Sequence, residues 1–165
     1  MKQIPYSRGL LWIVASLTGL FFVPHGMADS TFPAAKVASV QEAGRFKTLP
    51  TLKNVPADVV KLCFPNQMPA DPGKPWNATD AVQDATLPFS RVQWLATDGI
   101  DWIVAWEHGG IAYSTGFTVV SKTASTSPVV VWDAGPAKKR LETFQEFQEY
   151  IRLKGLFSGP SSFRP

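Results

Sequence analysis

His108 is the one histidine outside the first 28 residues, and it stands beside Glu107 in "IDWIVAWEHGG", with Asp101 and Asp133 nearby in the chain. An imidazole titrating at about 6.5, oriented by a carboxylate, is the commonest general base. Those residue types therefore admit a small hydrolase in which His108 works with Glu107, Asp101 or Asp133. The spacing argues against the nearest pair. Glu107 and His108 are adjacent in an alternating stretch, so on a strand their side chains leave opposite faces. A two-histidine zinc site lacks its second ligand, and no cofactor or metal motif is present. Neither a glycine-rich phosphate loop nor a G-x-S-x-G elbow occurs. Asp101, Glu107 and Asp133 are candidates for the carboxylate pair of a glycosidase, but their spacing carries no specific signal.

The one cysteine, Cys63, lies in "VVKLCF". A reactive thiolate needs an electropositive setting, and only Lys61 supplies charge there. Cys63 reads as a buried small hydrophobe, and a lone cysteine excludes an intrachain disulfide.

Binding without chemistry needs less. The candidate contact residues are Asp98, Asp101, Glu107, His108, Ser114 and Thr118. They fall on two glycine-containing turns and on one side of a strand ladder, where a rigid sheet presents loops to a partner.

The elements that must hold these residues follow from periodicity. From Arg91 the apolar period is two: "RVQWLA", "IDWIVAWEH" and "IAYSTGFTVV" read as three strands. A Gly109-Gly110 two-residue turn, with positive φ at both glycines, would oppose Trp106 to Tyr113 and Trp102 to Phe117. A three-residue Thr97-Asp98-Gly99 turn, with Gly99 left-handed, would oppose Trp94 to Trp102 and Val92 to Val104. Together these registers gather Trp94, Trp102, Trp106, Tyr113 and Phe117 on one face. Glu107, Ala105, Ile103 and Asp101 would then share the other face with Ala112, Ser114, Gly116 and Thr118. That second face would be covered by residues 32 to 55 or serve as a docking surface. Gly116 in mid-strand implies a close approach by something.

"SPVVVWDA" reads as a fourth strand opened by Pro128. "TFQEFQEYIRLKG" reads as a helix. Thr143 and Glu146 make a capping box, Phe144, Phe147, Tyr150 and Ile151 form its apolar stripe, and Gly155 ends it. "NVPADVVKLCF" predicts a short helix capped by Asn54, with Pro56 in its first turn and Pro65 after its end. "PNQMPADPGKPW" is a loop. Asn77-Ala78-Thr79 is formally a glycosylation sequon, read here as part of a turn in which Thr79 or Asp80 caps a brief helix over Ala81 and Val82.

The N-terminus reads as an address. Lys2 and Arg8 precede an uncharged run over residues 9–23, followed by Pro24 and small residues ending at Ala28. That order is a secretory leader, and the run is shorter than the roughly 20 residues of a spanning helix. Cleavage near Ala28 would release Asp29 to Pro165, a chain suited to one domain. The whole chain carries 16 basic and 13 acidic residues; losing Lys2 and Arg8 leaves 14 against 13, a net charge of +1. Lys138-Lys139-Arg140 is the one cationic cluster, far short of a nucleic-acid footprint.

The expected fold is α+β: an antiparallel β-meander of about four strands packed in two layers on a C-terminal helix. Residues 29–53 are expected to be extended or poorly ordered, residues 54–157 to form the domain, and residues 158–165 to be a disordered tail. The expected function is that of a secreted or periplasmic binding or inhibitor-type protein acting through protein–protein contact, with a partner in the cell envelope. No nucleic acid, cofactor or metal is expected, nor any membrane association once the leader is removed. The alternative is the small envelope hydrolase.

Overall fold

The computed structural model describes residues 32–82, 84–111, 113–134 and 140–154. The leader, Ala112, Lys138-Lys139, the Gly155 helix stop and the tail lie outside the described residues. Nine elements follow in order: α1 (Ala34–Gln41), β1 (Lys47–Leu49), a 3-10 turn (Leu52–Asn54), α2 (Ala57–Cys63), β2 (Ser90–Thr97), β3 (Asp101–His108), β4 (Ser114–Ser121), β5 (Val129–Ala134) and α3 (Phe144–Lys154). The strands form one open antiparallel sheet in the order β1-β2-β3-β4-β5. The α+β meander on a C-terminal helix is thus present. It has a fifth strand, β1, from a segment expected to be extended or poorly ordered, which also forms α1 and the 3-10 turn.

The helix over the last amphipathic stretch forms for the reasons its sequence gives. Thr143 Oγ1 accepts from the Glu146 amide at 3.1 Å, while Glu146 Oε2 reaches back to the Glu142 amide at 2.7 Å. Phe144, Phe147 and Ile151 are buried against the sheet. Phe147 is fully buried at the centre of a ring cluster. Its centroid lies 5.2 Å from Phe117, 5.5 Å from Trp94 and 5.9 Å from Phe32. Such pairs are worth about 0.5–1.5 kcal/mol each beyond area burial. Trp94 Nε1 donates to the Leu141 carbonyl at 2.9 Å, tying the entry of α3 to β2.

The single aromatic face does not form. Trp94 and Phe117 pack with α1 and α3, together with Ile103, Ala105, Val119 and Trp132. Trp102 and Trp106 pack on the opposite side, with α2, the 3-10 turn, Val92, Leu95, Val104 and Val120. Two departures from the expected register cause this. In β2 the pairing shifts between Val92, opposite Trp106, and Trp94, opposite Ala105. The extra residue, Gln93, is a bulge, and it sends Val92 and Trp94 to different faces. In β4, Trp106 pairs with Gly116, three positions from Tyr113, and an odd slip exchanges the faces.

The turns explain the slip. Thr97 pairs with Trp102, so the first connection spans Asp98 to Asp101 rather than three residues. Gly99 is left-handed at φ +92, as expected. Asp98 Oδ1 accepts from the Ile100 amide at 3.0 Å and the Asp101 amide at 2.7 Å, an Asx turn that lengthens the loop. In the second connection His108 pairs with Ser114, and of the two glycines Gly110 alone has positive φ. Gly109 serves close packing instead. A Cβ there would meet the Asn77 carbonyl and lie 2.8 Å from the Ala78 carbonyl carbon.

The face carrying Asp101, Ile103, Ala105 and Glu107 is therefore not bare. Phe32 and α1 share in its covering, as the internal-cover reading anticipated. Ser114, Gly116 and Thr118 do not share that face. Gly116 is required because the Trp106 ring lies across it: a Cβ would fall within 2.7 Å of Trp106 Cε2 and Cη2. In α2 the cap position is Pro56, with no side-chain cap, and Asn54 ends the preceding turn. Residues 79–81 form bends, and no helix runs over Ala81 and Val82. Asn77 is buried, and its Nδ2 donates to the Asp84 and Leu87 carbonyls at 2.8 and 3.0 Å. The sequon is closed to modification in the folded chain.

Candidate functional site

Most expected contact residues are spent on holding the fold. Asp98 makes the Asx turn and pairs with Arg45 Nε at 2.9 Å. Burial alone would raise its carboxyl. The amides of Asp101 and Ile100 and the Arg45 guanidinium outweigh that and hold it below the usual range. Asp101 is buried and binds Lys36 Nζ at 2.6 Å and the Ser121 hydroxyl, fastening α1 to the sheet. Thr118 Oγ1 accepts from Trp106 Nε1 and donates to Asp133 Oδ1, both at 3.1 Å.

His108 is separated from the expected carboxylates. Glu107 and Asp101 belong to the α1/α3 face. Asp133 pairs with Thr118, four positions along β4 from the Ser114 opposite His108, about 13 Å by strand rise. Instead His108 Nδ1 lies 2.9 Å from Ser90 Oγ, its cross-strand neighbour. Burial lowers the His108 pKa, which favours the neutral ring. Across β3 the Ser114 hydroxyl is buried with no hydrogen-bond partner. Cys63 is buried, and among the described residues no cluster of three or more metal-binding side chains occurs.

Glu107 is the exception, since it opens onto a recess. Its carboxylate is 1 % exposed and holds two partners. Oε1 accepts from Arg91 Nε at 2.7 Å and Nη2 at 2.5 Å, and Oε2 accepts from the Tyr113 hydroxyl at 2.5 Å. Burial, then the bond to Glu107, pushes the Tyr113 pKa up to about 12, so the phenol stays protonated. The Arg91 guanidinium also lies over the Trp76 ring, 5.2 Å from its centroid, and Trp76 sits 6.2 Å from Tyr113.

The walls are held from several directions. Ala70 bridges β2 through bonds to the Ser90 carbonyl at 2.8 Å and the Val92 amide at 2.9 Å. Asp71 accepts from the Leu52 amide at 2.6 Å and the Thr51 hydroxyl at 2.9 Å. These contacts fix the proline-rich loop that carries Gly73 and Trp76. The resulting recess encloses about 210 Å³ between Gly73, Arg91, Gln93, Glu107, Arg140 and Glu142. Gln93, the bulge residue, contributes a side chain whose Oε1 and Nε2 are both buried without a hydrogen-bond partner. Arg140 is half exposed and only loosely paired with Glu142, at 3.5 Å.

Of the expected residues, only Glu107 lines this recess. Arg91, Gln93, Trp76, Tyr113 and Arg140 were not anticipated. The available signal was faint: Arg91 and Gln93 are the polar alternates of "RVQWLA", and Trp76 is an aromatic in a proline-rich loop. Gln93 on a bulge is the kind of position at which sheets re-aim a side chain near a site.

These features define a small α+β domain with an open antiparallel sheet, helices on both faces and a polar recess beside the entry to α3. No protein-family model, curated protein or solved structure matches the chain.

Proposed function

We propose that this chain is a secreted binding protein of the inhibitor type. It is delivered by an N-terminal leader cleaved near Ala28, acts through contact with a protein partner in the cell envelope and performs no chemistry of its own. The observation that supports this reading is the Gln93 recess. Arg91, Gln93 and Glu107 stand on strands, and Glu107 holds both Arg91 and Tyr113. Groups pre-set in this way bind with little ordering cost.

The reading is tested by capture. Tagged protein should retain a specific envelope protein from an extract, and Gln93→Leu and Arg140→Ala should release it. No capture, or equal capture by all three, contradicts the proposal. Export is tested separately by mass: the secreted product should begin at Asp29, and a product keeping residues 1–28 contradicts cleavage there.

A small envelope hydrolase is the second reading, favoured by the Ser90–His108 contact of 2.9 Å, a hydroxyl beside a base. Against it, Ser90 is only 6 % exposed, and neither Ser90 nor His108 lines the recess onto which Glu107 opens. Loss of envelope-substrate turnover in Ser90→Ala and His108→Ala, with partner capture unchanged, would favour the hydrolase.

A further inference from the structure

The proline-rich loop that carries Gly73 also walls a second surface. Resting on the binding reading, we infer that the groove between the 3-10 turn, α2 and this loop docks an acidic segment of the protein partner through one or two apolar side chains. The groove holds about 390 Å³, inside the roughly 300–1,000 Å³ range of binding sites. Leu52, Val55, Ala57, Val60, Met68 and Pro69 line it, with Lys53 and Asp71 as its charged members. Its walls are joined without a partner. Asp71 accepts from the Leu52 amide at 2.6 Å and the Thr51 hydroxyl at 2.9 Å, clamping the loop onto the 3-10 turn. Met68 is 66 % exposed beside this apolar lining. Its unbranched thioether re-packs readily around an incoming side chain.

Charge names the partner's chemistry. Ala57, Val60 and Lys61 stand three and four positions apart on α2, so Lys61 borders the groove that Ala57 and Val60 line. Among the described residues neither Lys53 nor Lys61 is paired with a carboxylate. The acids of the same walls are engaged: Asp71 in the clamp and Asp58 with Lys122. Two ammonium groups beside apolar walls favour a segment whose apolar anchors are flanked by acids.

Shape and charge separate the occupants. The groove is open on one side. An acyl chain laid in it keeps one flank in water, whereas an amphipathic segment turns its polar flank outward. Residues 1–28 and 155–165 carry basic side chains and no acid, so Lys53 and Lys61 disfavour them. A second copy of the chain offers Val82, 53 % exposed between Asp80 and Asp84, but one valine is too small to fill the groove.

The test titrates the purified protein with the peptide acetyl-Glu-Leu-Phe-Glu-Asp-amide, followed by calorimetry. Control probes are the same peptide with lysines for its acids, the same peptide with alanines for Leu and Phe, and phosphatidylglycerol vesicles. The acidic apolar peptide should bind with a Kd on the order of 0.1 mM, and each control at least about tenfold more weakly. Met68→Glu should weaken it about tenfold. Lys53→Glu should do the same and should now bind the lysine peptide more tightly than the acidic one. Leu153→Glu, which alters an equally exposed apolar residue on α3, should change nothing. Met68 and Lys53 are both exposed, so urea midpoints should match the wild type and separate lost binding from lost folding.

Equal binding of the acidic and lysine peptides, binding unaffected by Met68→Glu, or no binding of any peptide overturns the inference. Tightest binding to the vesicles replaces the peptide by a lipid, and self-association abolished by Val82→Lys replaces it by a second copy; either overturns it too. If extract capture depends on Arg140 while the acidic peptide fails to bind, the groove assignment falls and the binding reading stands. If the peptide binds as stated and no envelope protein is captured, the groove stands as an acidic-peptide site and the envelope-partner reading falls.

Discussion

Replacing Gly116 with alanine tests the strand register through a single methyl group. The added Cβ would sit within 2.7 Å of three Trp106 ring carbons, and Trp106 is 1 % exposed. The ring has no free space, so it must shift, and overpacking of this kind costs about 1–3 kcal/mol. Moving the indole also strains the 3.1 Å bond from Nε1 to Thr118, worth about 1 kcal/mol. The entropic gain of replacing a glycine returns about 0.5–1 kcal/mol. The net expectation is a loss of about 1–3 kcal/mol, a sizeable part of the roughly 5–15 kcal/mol of a typical domain. Urea unfolding followed by tryptophan fluorescence measures it. The Trp106→Leu variant should be destabilised on its own, but adding Gly116→Ala to it should cost less than adding it to the wild type, a coupling of at least about 0.5 kcal/mol. Had Gly116 opposed Ile103, the methyl group would have been tolerated. A Gly116→Ala variant as stable as the wild type, or strict additivity with Trp106→Leu, refutes the register.

Other outcomes follow from the same packing. Phe147→Ala should cost about 3–5 kcal/mol in chemical unfolding, because it empties the centre of the α3 ring cluster. Glu107→Leu should cost about 2–4 kcal/mol by leaving Arg91 and Tyr113 without their shared acceptor, and should lower the Tyr113 pKa from about 12 in a spectrophotometric titration. His108 titrates below its ordinary value when folded, so the unfolded chain binds its proton more readily. The stability tied to this ring is complete above about pH 6.5 and is lost as pH falls from there through the folded pKa. Unfolding midpoints should decline over that window in the wild type and decline less in His108→Gln. Asn77→Ala should lower stability by about 1–3 kcal/mol in urea unfolding, because the Asp84 and Leu87 carbonyls lose their shared donor.

Much of the fold was legible because it rests on local chemistry. Thr143 and Glu146 bracket α3, the Phe144–Phe147–Ile151 stripe announces its buried face, and Gly99 marks a left-handed turn. The registers were not legible, for a physical reason. Strands β3 and β4 are covered on both sides, so alternation no longer separates a core face from a solvent face, and pairing the largest rings becomes a guess. Gln93 adds a residue that no periodicity announces. Gly109 offered two uses, positive φ or close approach, and the deciding contact comes from Asn77 and Ala78, some thirty residues earlier. The site was harder still. Glu107 stood out as a carboxylate beside a histidine, yet its partners are Arg91 across the strand and Tyr113 beyond the turn. Arg140, which lines the same recess, lies almost fifty residues after Arg91 in the chain.

The most direct measurement is a nuclear Overhauser spectrum of the aromatic protons, since the recess exists only if β2, β3 and β4 carry their side chains on the faces described. Cross-peaks should join the Trp94 indole to the Phe144 and Phe147 rings, and the Trp106 indole to methyl groups of α2. Cross-peaks from both indoles to the α3 rings would place Trp94 and Trp106 on one face, turn Glu107 away from Arg91 and contradict the account.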